Sequence, residues 1–389
     1  MLAATVRVTR DLDLAEDAVQ EAYVSALAAW ERDGVPDRPG AWLTTAARRV
    51  ALNALARGKT LRTKLPLLLE PEAVPSEEPE TIPDDRLRLV FICCHPALAR
   101  EAQIALTLRL VCGVATPDIA HAFLVGESAM AARITRAKKK IAAAGIPYVV
   151  PDRSELPERL DAVLTVVHLL ATTGHVDPSG EQLVRVELFE RALDLARMLV
   201  ALLPGEREAL GLLALLRVHG ARAATRVDAR GRLLRLEEQD RSRWDREAIA
   251  EADRLIVRSL KAGPPGRFTL QAAIAALHAS APSYAETDWP QLLQLYDVLL
   301  RVWPSPVVAL NRAVVVAMVR GEDAALREVE ALERDGRLDG YRYLPAVKAD
   351  LLARLGRHEE AGEAYRAALA LTGNEAERDF LSRRREGLR

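Results

Sequence analysis

The sequence predicts an all-α protein, and three observations carry the prediction. Half of the residues are hydrophobic but only 4% are aromatic, so the cores are built from Leu, Ala and Val in an Arg-rich chain, a composition that favours helix. Apolar residues recur at three- and four-residue spacing through most of the length. Helix start and stop chemistry brackets those stretches. At 389 residues, two or three domains of roughly 100–200 residues are expected. The organisation reads as a small helical domain over 1–58, an acidic proline-rich linker over 59–83, a second small helical domain over 84–145, and a helical extension over 158–389 with repeat-like units near 307–372.

Taken in order, the first helix of note begins at Asp13 with Glu16, which reads as a capping box. Ala15, Ala18, Val19, Ala22, Tyr23, Ala26, Leu27 and Trp30 then form one apolar face. Asp17, Gln20, Glu21 and Val24 share a neighbouring polar face. The helix stops before Gly34-Val35-Pro36, and a second runs from about Pro39 to Arg57. Residues 58–83 hold Pro66, Pro71, Pro75, Pro79 and Pro83 and read as an extended linker, with room for one short helix at Leu67–Leu69. Helices resume at Asp84–Arg86, with stripes through Leu87, Val90, Phe91, Cys94 and Leu98, then Ala102, Leu106 and Leu110.

The stretch after Val114 is the most informative. Thr116-Pro117-Asp118 is a strong helix start: a capping hydroxyl, proline at the first helical position and an acid in the first turn. That helix lasts to about Phe123. A short turn follows, and a second helix runs from Glu127 to about Ala143. Two helices joined so tightly make a helix-turn-helix, with Ile119, Ala120, Phe123, Val125, Met130 and Ile134 as its core and Ser128, Ala131, Ala132 and Thr135 outward. Beyond Pro157 the chain is again helical: Arg159–Thr173, Glu181–Leu203, Glu206–Ala221, Arg246–Lys261, Phe268–Ala279, Trp289–Val302, Val307–Val319, Glu322–Asp335, Tyr341–Leu355 and Glu359–Thr372. Turn residues at Asp228–Gly231 leave room for one small β-hairpin between 226 and 236. Ala349, Gly356, Ala361, Tyr365 and Ala368 match the small and aromatic positions of a tetratricopeptide unit.

Composition narrows the classes. Glycine and proline number 21 each, ordinary usage that argues against a collagen-like or wholly disordered chain. Cys93, Cys94 and Cys112 are an odd set without paired spacing, which suggests a reducing compartment. Adjacent Cys93 and Cys94 suit a buried helix better than a metal site. Charges recur from Arg7 onward, so no signal peptide is expected, and no apolar run reaches the ~18 residues of a membrane helix. A soluble cytoplasmic protein with no membrane partner, no metal and no cofactor is expected. No phosphate loop, nucleophile elbow or paired-carboxylate motif points to an enzyme. The Asp240–Asp245 cluster reads as an ion-paired packing element.

Charge is segregated. The chain balances 54 basic against 55 acidic residues. Yet Arg48 to Lys64 holds six bases and no acid, Glu70 to Asp85 seven acids and no base, and Glu127 to Lys140 five bases and one acid. Two basic helices flanking an acidic tether suit a nucleic-acid partner despite the neutral total.

On these residues the chain resembles bacterial sigma factors of the extracytoplasmic-function type. Asp11 to Tyr23 resembles the polymerase-binding helix of the first conserved domain, and Ala41 to Arg49 its promoter-melting helix. Pro83 to Leu98 with the helix-turn-helix resembles the second domain of a subgroup that carries a long tetratricopeptide-like extension. The tail fits too, at Gln239–Asp245, Thr287–Pro290 and Ser305–Arg312. The resemblance implies a sigma factor that binds core RNA polymerase and promoter DNA. Asp17, Gln20 and Glu21 would dock on the polymerase. Thr45, Arg48, Arg49, Asn53 and Arg57 would hold the minus-ten element. Thr116, Ser128, Ala131, Ala132, Arg133, Thr135, Arg136, Lys138 and Lys139 would meet the minus-thirty-five element. Arg49 stands where asparagine is usual and Asn53 where aspartate is usual, which predicts phosphate binding with altered base readout. Ala131 and Ala132 can touch only a thymine methyl, so contacts there are expected to lean on Ser128, Thr135 and backbone. The extension would regulate the factor by intramolecular docking or by holding a protein regulator, and the acidic run would shield the Arg48–Lys64 patch. Only Leu2 to Thr9 precedes the polymerase-binding helix where the family has a full helix, so an upstream start or a truncation is expected. The alternative is a helical-repeat scaffold whose DNA-binding module never engages polymerase.

Overall fold

The computed structural model describes residues 1–64, 85–123, 125–144, 154, 156–175, 186–228, 230 and 232–388. The chain is all-α, with 18 α-helices and no sheet among the described residues. It divides into two compact units, Met1–Leu170 and Ala171–Arg389. The expected short helix at Leu67–Leu69 and the acidic run lie outside the described residues.

The first unit opens with α1 (Leu2–Thr9), α2 (Leu12–Asp33) and α3 (Pro39–Lys64), which pack on one another. Arg10 adopts φ 53°, and its N–H bonds the Val6 carbonyl, ending α1. Asp11 then caps α2, its carboxylate accepting from the Leu14 N–H at 3.0 Å. The cap therefore stands two residues before the expected Asp13–Glu16 box, and those two acids are used elsewhere.

The α2 core stripe is mostly alanine: Ala15, Ala18, Ala22 and Ala26 are buried, as are Ala47 and Ala51 of α3. Small side chains let the two helices approach closely. Tyr23 and Leu27 do not join that core; they are 48% and 73% exposed. At about 100° per residue they fall past the edge of the alanine stripe. Helix α3 continues past Arg57 and Gly58 to Lys64. A mid-helix glycine costs only ~1 kcal/mol.

Four further helices follow: α4 (Asp85–Cys93), α5 (Arg100–Leu110), α6 (Thr116–Ala122) and α7 (Glu127–Ala143). Phe91, Leu106, Ile119, Met130 and Ile141 are fully buried among them. All three cysteines are buried and free, and burial pushes the Cys94 thiol up to about 12. Among the described residues no group of three His, Cys, Asp or Glu could hold a metal. Then comes α8 (Leu156–His175). Its Arg159 donates to the Phe91 carbonyl at 3.2 Å and its Asp161 pairs with Arg100. The start of α8 thus belongs to the first unit.

In the second unit α9 (Val186–Leu202), α10 (Arg207–Ala221), α11 (Arg246–Ala262) and α12 (Arg267–Ser280) pack around the leucine-rich α10, which is buried along most of its length. Gly211 lets α10 touch α12: a Cβ there would lie 2.5 Å from the Thr269 nitrogen. One residue-turn away, Glu208 of α10 accepts from the N–H groups of Phe268 and Thr269 at 2.9 and 3.2 Å and so caps α12 from a neighbouring helix.

Between α10 and α11 the hairpin reduces to one antiparallel bridge, Val227 with Leu233. Asp228 accepts from the N–H groups of Arg230 and Arg232 and holds the turn. Among the described residues the Asp240–Asp245 cluster makes none of the expected ion pairs. Asp240 caps a short turn through Ser242, and Asp245 caps α11 through the Ala248 N–H. Trp244 is buried, its Nε1 donating to Thr225 Oγ1 at 2.8 Å. Arg241 and Arg222 stack over its ring.

The remaining helices are α13 (Trp289–Val302), α14 (Pro306–Arg320), α15 (Glu322–Asp335), α16 (Tyr343–Arg354), α17 (His358–Ala370) and α18 (Glu375–Glu386), each packed on the next. Arg312 links three of them, bonding Asp297 at 2.6 Å and Glu328 at 2.7 Å. Ala349, Ala361, Tyr365 and Ala368 are buried, and Gly356 takes φ 75° at the intervening turn, a left-handed conformation that glycine adopts without strain. Helix α18 was not expected; its Asn374 cap, acidic first turn and basic last turn were present but its apolar positions are few. No described helix is long and apolar enough to cross a membrane.

Candidate nucleic-acid interface

On α3, Thr45, Arg48, Arg49, Asn53 and Arg57 are all exposed, with the half-exposed Leu52 among them. Their spacing puts them on one side of the helix, opposite the buried Ala47 and Ala51. Thr45 donates its hydroxyl to the Ala41 carbonyl at 3.0 Å. Among the described residues no carboxylate lies within ion-pair distance of Arg48, Arg49 or Arg57. Three uncompensated guanidinium groups on one helix make a surface suited to phosphates. Trp42 packs edge-to-face on Trp30, ring centroids 5.7 Å apart, and so takes part in packing.

On α7, Ser128, Ala131, Ala132, Thr135, Arg136 and Lys139 are exposed along one face, opposite the buried Met130, Ile134, Ala137 and Ile141. The hydroxyl of Thr135 donates to the Ala131 carbonyl at 3.0 Å, which leaves it only acceptor capacity toward a ligand. Arg133 is half-buried and sits over the Phe123 ring at 5.8 Å. Thr116 is half-buried at the start of α6.

Lys138 differs from the rest of that face. It is largely buried and reaches α2, where it pairs with Glu16 and, at 3.3 Å, with Asp13. Burial alone would lower its pKa, but the hydrogen bonds and charges of Glu16 and Asp13 outweigh that and raise it. Nothing in the one-dimensional pattern marks this contact, because the partners stand more than a hundred residues apart. A second tie, Arg7 to Asp85 at 3.3 Å, joins α1 to α4.

The polar face of α2 presents Asp17, Gln20 and Glu21, all exposed. Val24 at 66% and Leu27 at 73% exposure extend it, beside Tyr23. Sequence patterning assigned Tyr23 and Leu27 to the core; the signal that reassigns them is the unbroken alanine run on the opposite side.

Residues 2–60 match the family Sigma-70 region 2. Residues 159–260 match a family of unknown function, DUF6596. An uncharacterized protein of Rhizobium meliloti (strain 1021) is 43% identical over 388 residues, covering 98% of this chain and 91% of that protein. No solved structure matches the chain.

Proposed function

We propose that this chain, which carries Sigma-70 region 2 at residues 2–60 and DUF6596 at residues 159–260 as suits a sigma factor of the extracytoplasmic-function type with a long C-terminal extension, binds core RNA polymerase and recognises promoter DNA, and that its surfaces divide that work as follows. The α2 face of Asp17, Gln20 and Glu21 docks on the polymerase, with Val24 and Leu27 as apolar anchors inside a polar rim. The α3 face of Thr45, Arg48, Arg49, Asn53 and Arg57 holds the non-template strand at the minus-ten element. A basic groove that tracks phosphates suits single-strand binding. Helices α6 and α7 act as a helix-turn-helix at the minus-thirty-five element, with Ser128, Ala131, Ala132 and Thr135 toward the bases and Arg136 and Lys139 toward phosphates. Thr116 and Arg133 support that docking from its edge. The extension regulates the factor. Its place of action is the cytoplasm, where the polymerase is.

The observation that carries this division is the set of guanidinium groups on α3, within the matched region, that have no ion-pair partner among the described residues. In vitro transcription with core polymerase tests it. The full chain is expected to start transcription from a two-element promoter. Combined Arg48→Gln and Arg49→Gln should abolish it, and Asp17→Ala with Gln20→Ala should lower polymerase capture. A chain that binds DNA yet never captures polymerase would favour the scaffold alternative.

A further inference from the structure

The second unit contains a cavity of about 230 Å³ between the bridged turn and the last helices. Leu233, Leu234, Ala346, Phe380 and Leu381 make its walls apolar. It abuts a second cavity of about 260 Å³, with which it shares Arg235, Ala346, Phe380 and Leu381. These four residues stand between the two cavities, Arg226 lining the first and Tyr284 and Tyr365 the second.

The charges around these two cavities are almost all spent. Arg342 pairs with Glu377 at 2.7 Å, and the Tyr343 hydroxyl donates to the same carboxylate at 2.7 Å. Arg235 pairs with Glu237 and, at 3.7 Å, Glu238. Arg354 pairs with Asp350 at 3.0 Å, and Arg384 shares that carboxylate. Arg226 is the exception. Its half-buried guanidinium lines the first cavity with no ion pair and no side-chain hydrogen bond among the described residues. Burial lowers its pKa, and only electrostatic interaction with Tyr343 and Glu377, not contact, opposes that. A desolvated charge without a partner is costly, and a cavity beside it is where a partner fits.

We propose that the first cavity binds a small monocarboxylate with an apolar body, its carboxylate on Arg226 and its body along Ala346, Phe380 and Leu381. A bidentate pair matches the planar guanidinium to a carboxylate. A single unpaired cation beside Glu377 suits one negative charge and disfavours a phosphate dianion. The first cavity is smaller than the roughly 300–1,000 Å³ of drug-sized sites, so the group that enters it is small. The acid comes either free or as the C-terminus of a peptide ending in an apolar residue; the chemistry is the same. Nothing here depends on polymerase or DNA binding.

Calorimetric titration of the full chain with octanoate, octanamide, and a tetrapeptide ending in leucine as free acid or amide tests the site. Saturable one-site binding of octanoate or of the free-acid peptide is expected, whichever acid binds identifying the source. The neutral amides should bind roughly tenfold more weakly or worse, as loss of a charged hydrogen-bonded pair predicts. Arg226→Gln should reduce acid binding to the level of the amides. Ala346→Phe, which fills the shared wall and leaves Arg226 in place, should also abolish binding, with the helical circular dichroism signal of both variants unchanged. Absence of binding by both acids at millimolar concentration, or equal affinity in wild type and folded Arg226→Gln, overturns the proposal.

Discussion

Lys138 shows how one side chain can serve two partners. It stands on the helix assigned to the minus-thirty-five element, yet its ammonium is held by Asp13 and Glu16 of α2. A lysine so engaged is withheld from phosphate. Asp13→Asn with Glu16→Gln should therefore raise the affinity of the free chain for promoter duplex several-fold. The dependence of log affinity on log salt should steepen by roughly one unit, one phosphate contact's worth. Fluorescence anisotropy across a salt series measures both; unchanged affinity and slope would mean that Lys138 does not compete.

His278 is a second informative residue. It is largely buried, packs edge-to-face on Trp289 at 5.5 Å, and its pKa is lowered to about 4 by burial first and then by Arg222 and Arg241. Below about pH 6.5 the unfolded chain takes up a proton there that the folded chain refuses. Folding stability should thus fall as pH drops from 6.5 toward 4, by on the order of 2–3 kcal/mol in all. Chemical denaturation at pH 7 and pH 4.5 should show a smaller difference in His278→Asn than in wild type.

At the level of elements, the join of α10 and α12 is a close fit. Gly211 sits where a Cβ would press on backbone, 2.5 Å from the Thr269 nitrogen, and backbone yields less readily than the end of a flexible side chain. Gly211→Ala should cost about 1–3 kcal/mol, although alanine is the better helix former by about 1 kcal/mol. A lowered denaturation midpoint with unchanged helical content is the expected result; a stabilised variant would show that the helices can part at no cost.

At this scale the sequence was largely legible. Helix α7 runs from Glu127 to Ala143 and α13 from Trp289 to Val302, as periodicity and caps predicted. The misses have physical causes. Asp11 rather than Asp13 caps α2 because either acid satisfies the local pattern and only the position of the chain turn at Arg10 chooses. Tyr23 and Leu27 read as core because an alanine stripe is a weak apolar signal, and larger neighbours draw the face toward themselves. Helix α18 carries little periodic apolar signal because it is mostly charged and buries little beyond Leu381 and the Glu377 end.

Over the whole molecule the first compact unit extends to Leu170 and so takes in most of α8. Arg159 and Asp161 anchor that helix to Phe91 and Arg100. Residues 1–157 lack both anchors and should melt below residues 1–175, each 1 kcal/mol lost lowering Tm by roughly 2–4 °C. Equal melting temperatures would show that α8 contributes nothing to the first unit. This bears on how the extension is separated from the rest: a cut in the proline-containing stretch before Leu156 removes a helix that the first unit uses.

The sequence by itself determined the helical class, nearly every helix and the two basic faces, because periodicity, capping and charge segregation are local properties that a chain carries wherever it folds. Ser128, Ala131, Ala132 and Thr135 were placed together by helical spacing, whereas Thr45, Arg48, Arg49, Asn53 and Arg57 were gathered through the family resemblance. The tertiary structure decided which charges are already spent. Among the described residues, Lys138 is paired while Arg136 and Lys139 beside it make no ion pair, and Arg226 makes none while Arg235, Arg342, Arg354 and Arg384 are paired. Ion pairs between segments far apart in the chain form only when packing brings the helices together, and no spacing rule along one strand of sequence records them.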